Sequence, residues 1–75
     1  MEIQIKLMGT LKDKTPAGER LALAQHSTIA DALVALDIPI ESVHVFTVNG
    51  QLVRDRGHQL TPGDELTVLP PVGGG

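Results

Sequence analysis

Thr28-Ile29-Ala30-Asp31-Ala32-Leu33-Val34-Ala35-Leu36-Asp37-Ile38-Pro39 reads as a helix in a chain otherwise patterned for strands. Thr28 stands three residues before Asp31, a spacing close to the capping box in which a hydroxyl and a carboxylate satisfy free N–H groups of the first turn. Ile29, Ala32, Leu33 and Leu36 fall at helical spacing and form one apolar stripe. Pro39 closes the segment, because the residue before a proline is biased away from helical geometry. The expected helix is about Ile29 to Asp37.

Upstream, the period is two. Ile3, Ile5 and Leu7 point one way and Glu2, Gln4 and Lys6 the other, as in a strand with one buried face. A polar stretch through Lys12-Asp13-Lys14-Thr15-Pro16-Ala17-Gly18 reads as a loop. Arg20 to Gln25 alternates again, with Leu21 and Leu23 inward, and predicts a second strand antiparallel to the first. Downstream, Val43 to Val48 and Gln51 to Val53 flank Asn49-Gly50, a strong short hairpin signal because both residues tolerate positive φ. Arg54 to Gln59 is polar and irregular. Thr61-Pro62-Gly63-Asp64 is a turn, and Leu66 to Leu69 is a last strand with Leu66 and Val68 facing the core.

The order strand, strand, helix, strand, short strand, strand defines an α+β class. If the first and last strands pair in parallel, one helix covers one face of a mixed sheet of four to five strands, a complete two-layer core. That arrangement is a β-grasp, expected over residues 1–69, with 70–75 as a flexible C-terminal Gly-Gly tail.

Bulk properties narrow the function. The chain has 75 residues, room for one domain. Phe46 is its single aromatic residue, which excludes the stacking platforms of single-strand nucleic acid binders. Net charge is −3 with six Lys and Arg, too few and too dispersed to neutralise a row of phosphates, so no nucleic acid partner is expected. Cysteine is absent, which favours a cytoplasmic location over a secreted one. No apolar run approaches the roughly 20 residues of a membrane helix, so no membrane partner is expected. His26, His44 and His58 match no compact ligand spacing, so no metal is expected. Ser27 and Ser42 lack a nearby His-Asp arrangement. Arg54 and Arg56 flank Asp55 as a solvated surface. Asn49-Gly50 and Pro62-Gly63-Asp64 read as turn chemistry. The domain holds no catalytic constellation.

The chemistry lies in Pro70-Pro71-Val72-Gly73-Gly74-Gly75. Two prolines cannot continue a central strand and favour an extended, semi-stiff path. Three glycines have no side chains to pack, so the segment is expected to expose a carboxylate at Gly75 on a thin stem of Gly73 and Gly74. Val45 and Thr47 alternate with the inward Phe46 and Val48, and Leu69 faces outward beside the tail. Val45, Leu69 and Val72 are expected to form an apolar partner-binding patch leading to the carboxylate, the alternative being an ordinary scatter of exposed aliphatics.

The alternating first strand, the Thr-capped helix, Val48-Asn49-Gly50, Leu60-Thr61-Pro62-Gly63-Asp64 and the terminal glycines, in this order over essentially the whole chain, resemble the MoaD/ThiS family of ubiquitin-like sulfur carriers. The family's tails commonly carry a small residue other than glycine where Gly73 stands, a difference that loosens the stem. The resemblance implies a protein co-substrate, not an enzyme. A ubiquitin-activating (E1-like) adenylyltransferase would use ATP to adenylate the Gly75 carboxylate. A sulfur donor of the cysteine desulfurase or rhodanese type would then convert it to a thiocarboxylate. No cofactor would be bound by the chain itself. The Pro-Pro-Val lead-in is similar to the molybdopterin branch, in which the carrier is the small subunit of molybdopterin synthase and its tail enters the large subunit. The thiamin thiazole branch and a ubiquitin-like modifier joined to lysines through Gly75 are the alternatives, as is an interaction module whose tail is never activated.

Overall fold

The computed structural model describes residues 1–71. Strand β1 (Glu2–Leu7) buries Ile3, Ile5 and Leu7 and exposes Glu2, Gln4 and Lys6, as its alternation requires. Strands β2 (Arg20–Ala22), β3 (Val45–Val48), β4 (Gln51–Val53) and β5 (Glu65–Leu69) complete one sheet in the order β2-β1-β5-β3-β4. β1 and β5 run parallel at its centre, and the other neighbours are antiparallel. Helix α1 (Ile29–Ala35) supplies the second layer. This is the ubiquitin-like β-grasp with a five-strand mixed sheet.

The core is built in rungs. Ile5, Leu66 and Val48 stand opposite one another across β1, β5 and β3, and Leu7, Val68 and Phe46 form the next rung. Every one of these side chains is buried, and Leu66 and Val68 have no exposed surface. Ile29, Ala32, Leu33 and Leu36 are all buried, so the helical stripe read from the sequence is the face that closes the core. Helix and sheet therefore share one hydrophobic cluster, joined by Leu11, Ile38 and Leu60.

Both ends of α1 are explicit. Thr28 Oγ1 accepts from the Asp31 N–H at 3.2 Å, and Asp31 Oδ2 accepts from the Thr28 N–H at 2.9 Å, a complete capping box. The two remaining free N–H groups are met from outside the helix. Ile29 donates to the carbonyl of His58 at 3.1 Å, and Ala30 donates to that of Arg56 at 2.9 Å. The irregular loop before β5 is thus the second half of the helix cap.

The helix ends earlier than Asp37. Asp37 takes φ 59°, its N–H donates to the Val34 carbonyl at 3.0 Å, and the Ile38 N–H reaches back to the Leu33 carbonyl at 2.9 Å. This is the Schellman arrangement, with buried Ile38 and Leu33 supplying the hydrophobic contact that accompanies it. The stop is set by this left-handed residue, and Pro39 follows it.

Other boundaries moved for local reasons. β2 ends at Ala22 rather than Gln25, although the Leu23 N–H still donates to the Met1 carbonyl at 2.8 Å; His26, at φ 67°, then turns the chain. β3 begins at Val45 rather than Val43, because Ile40–Ser42 forms a 3-10 turn closed by the Val43 N–H on the Ile40 carbonyl. The polar stretch after β1 is not a plain loop: Gly9–Lys14 winds as a 3-10 turn that buries Leu11. No helix among the described residues is long and apolar enough to cross a membrane.

Candidate functional site

β5 is the element that delivers the chain to its tail. It is hydrogen-bonded on both sides, so its last residues are fixed twice over. The Met8 N–H donates to the Val68 carbonyl at 3.1 Å, and the His44 N–H donates to the Leu69 carbonyl at 2.8 Å. Pro70 then has no N–H to offer either neighbour, so the ladder stops there. Pro70 is half-buried and Pro71 exposed. The chain consequently leaves the sheet at one defined point, beside the start of β3 and the turn that follows β1.

Val45 and Leu69 stand directly opposite one another in the β3–β5 ladder, and both are half-buried. The sheet register brings these two expected partner residues together at the exit. Val72 and the three glycines, Gly73, Gly74 and Gly75, lie outside the described residues. Leu52 extends this surface beyond the residues expected from the sequence. It pairs with Thr47, which places it on the same open face, and it is 53% exposed. Strand alternation alone could have found it once the Asn-Gly hairpin fixed the register.

The far end of β5 is held by a polar latch. Asp64 is buried; its Oδ2 accepts from the Thr61 N–H at 2.8 Å, and its Oδ1 accepts from the Thr61 hydroxyl and from Asn49 Nδ2, both at 2.9 Å. Asn49 Oδ1 in turn accepts from the Glu65 N–H at 2.9 Å. Burial pushes the Asp64 carboxyl up, but its bonds from the Thr61 N–H, the Asn49 amide and the Thr61 hydroxyl, with the nearby His58, outweigh it. The net shift is below the ordinary carboxylate value. Two turns read separately from the sequence are therefore one joint. Asn49 and Asp64 are 15 positions apart, and no local signal pairs them.

Most of the other polar side chains are exposed. His26, His44 and His58 are exposed, as are Arg54, Asp55 and Arg56. Ser27 is buried, and its hydroxyl donates to the Ala24 carbonyl at 2.8 Å, a turn contact. Lys14 and Asp37 form an exposed ion pair at 3.7 Å, a geometry that contributes little to stability. No group of three or more His, Asp or Glu able to hold a metal ion occurs among the described residues.

The five-strand mixed sheet closed by one helix defines a ubiquitin-like β-grasp protein. The model of the ThiS family matches residues 5–75. The chain belongs to the ThiS family. A search of the curated proteins finds no match. Among solved structures the chain is similar to SAMP1 from Haloferax volcanii, with a TM-score of 0.75, 24% identity and full coverage of both chains. A second structure of H. volcanii small archaeal modifier protein 1 gives TM-score 0.75 and 24% identity over 95% of this chain and 98% of that one. A chain of the complex of subunits 1 and 2 of molybdopterin-converting factor from Helicobacter pylori 26695 gives TM-score 0.63 and 20% identity over the whole of both chains. At these identities the likeness to solved structures concerns the fold.

Proposed function

We propose that this chain is a sulfur carrier that works as a protein co-substrate, with the Gly75 carboxylate as its reacting group. The observation that supports it best is the family match, which runs from β1 through Gly75 and so includes the glycine tail as well as the domain. In this reading an adenylyltransferase uses ATP to form an acyl-adenylate at Gly75, releasing pyrophosphate. A persulfide sulfur then displaces AMP. Reductive cleavage of the resulting acyl disulfide, by a thiol of the donor or an external one, leaves the thiocarboxylate. A free α-carboxyl has a pKa of about 3.3–3.7, so it is the anion this step requires at neutral pH. Glycine at the reacting end leaves a narrow channel unobstructed. Pro70-Pro71-Val72 favours a molybdopterin-type acceptor, with this chain as the small subunit of the synthase, over a thiamin thiazole acceptor.

Intact mass measures the first step directly. After incubation with the adenylyltransferase, ATP and a sulfur donor, the protein is expected to gain the difference between one sulfur and one oxygen, and a Gly75 deletion to gain nothing. No gain with competent activating enzymes would refute the carrier reading. The modifier reading shares fold and tail, and the H. volcanii neighbours bear that name. Its product would be an isopeptide ladder on target lysines instead of a thiocarboxylate.

The Val45–Leu69 pair beside the exit is the proposed docking point for the activating enzyme. Val45→Glu places a charge on it while leaving the buried rungs untouched. Loading is expected to fall about tenfold, the loss of roughly 1.4 kcal/mol of binding, with the melting temperature moved by a few degrees at most. Wild-type loading by this variant would remove the patch from the interface.

A further inference from the structure

We propose that Gly9 is a positioning residue for the tail: its bare Cα is the seat on which Pro70 rests, and this seat sets where and in which direction the chain leaves the sheet. Its functional consequence rests on the carrier reading above; the seat itself does not.

Gly9 has φ +57°, and a Cβ placed on it would lie 3.0 Å from Cγ of Pro70 and 3.7 Å from Cδ. Among the described glycines, three others also have positive φ. Gly18, Gly50 and Gly63 have nothing within 4 Å of an added Cβ. Their left-handed turns need glycine for the backbone alone, whereas Gly9 needs it for the backbone and for clearance. The contact is made where neither partner has slack. The Gly9 turn is tied to β5 by the Met8 N–H on Val68 and closed by the Leu11 N–H on the Met8 carbonyl at 3.1 Å. Pro70 is tied through Leu69, whose carbonyl accepts from His44. Pro70 itself can donate no hydrogen bond, so van der Waals contact with the turn takes over from the ladder at this residue.

The position matters because Pro70 is the base of a lever. Gly75 lies five positions further along, at most about 18 Å away in a fully extended chain. Consecutive prolines are semi-rigid, so a shift of the ring by a few tenths of an ångström is carried outward rather than absorbed at once. The reacting carboxylate must enter a pocket on another protein while the domain docks at a fixed place, so the direction of the stem enters the geometry of both steps.

Gly9→Ala and Gly18→Ala isolate the effect. Both put a side chain on a left-handed residue and so share the backbone cost, but the former alone presses on Pro70. Sulfur loading of Gly9→Ala is expected to fall about tenfold or more relative to wild type, a loss of the size expected for ångström-scale misplacement. Gly18→Ala should stay within about twofold of wild type, by the same geometric argument. In a double-mutant cycle, adding Pro70→Ala to Gly9→Ala should cost less than Pro70→Ala alone, because the clashing ring atoms are gone. Equal loading of Gly9→Ala and Gly18→Ala overturns the proposal.

A second readout needs no enzyme. The chain has no cysteine, so a nitroxide on Gly73→Cys labels one site. Its relaxation pattern over the domain amides should change with Gly9→Ala and not with Gly18→Ala. Unchanged patterns in both variants overturn the seat whatever the loading assay shows. If the wild-type chain is not loaded at all, the carrier reading fails, and the nitroxide patterns alone decide for or against the seat.

Discussion

Leu66→Ala is expected to remove about 2–5 kcal/mol of stability, the range for truncating a fully buried leucine. Leu66 has no exposed surface and occupies the central strand, opposite Ile5 on one side and Val48 on the other. Both flanking strands are fixed by ladder hydrogen bonds, so the site has little freedom to collapse around the void. A 75-residue domain has a total stability of roughly 4–11 kcal/mol at typical values per residue. One substitution therefore takes a large share of it. For a domain of this size each kcal/mol moves the midpoint about 4–8 °C, so calorimetry should show a fall of at least about 8 °C. Val34, on the same helix as the core stripe but 81% exposed, provides the contrast. Val34→Ala should change stability by no more than about 0.5 kcal/mol. Similar losses for the two variants would contradict the two-layer core.

Asp64→Ala is expected to cost about 2–3 kcal/mol, because it leaves the Thr61 N–H and the Asn49 amide without their charged acceptor. The cost depends on pH with a definite sign. The folded-state carboxyl titrates below its ordinary value, so its contribution is fully present above the unfolded pKa of about 3.9 and is lost as pH falls through the folded value. Urea unfolding followed from neutral to acid pH should show wild type and Asp64→Ala converging in that acid window. A constant gap down to the lowest pH would mean that the carboxylate's charge plays no part in the latch. Because the latch joins the β3–β4 turn to the start of β5, its loss should also raise hydrogen exchange at Glu65, whose N–H is held by Asn49.

Much of this fold is legible in the sequence. The alternation of Ile3, Ile5 and Leu7, the Thr28–Asp31 box and the Ile29, Ala32, Leu33 and Leu36 stripe each express a rule that acts over a few residues. The structure shows each where the pattern placed it. Errors lay at element ends, where neighbours compete. The expected helix runs two residues past the observed end because Pro39 is visible in sequence, whereas the left-handed turn at Asp37 is stabilised by the packing of Ile38 on Leu33. Leu11 was missed because one apolar residue in a polar stretch has no period. It is buried because the 3-10 turn after β1 folds back onto the core.

Residue pattern alone sets which residues are apolar on which face, where the helix starts and where proline ends the last strand. These follow from dihedral preference, side-chain periodicity and missing N–H groups, all local properties. Tertiary packing settles what those elements touch. It set β1 parallel to β5, placed Val45 opposite Leu69, gave the first turn of α1 the carbonyls of His58 and Arg56, joined Asn49 to Asp64 and seated Pro70 on Gly9. Each of these contacts joins residues far apart in the chain. Its free energy depends on how two surfaces meet, a quantity that no window of sequence contains.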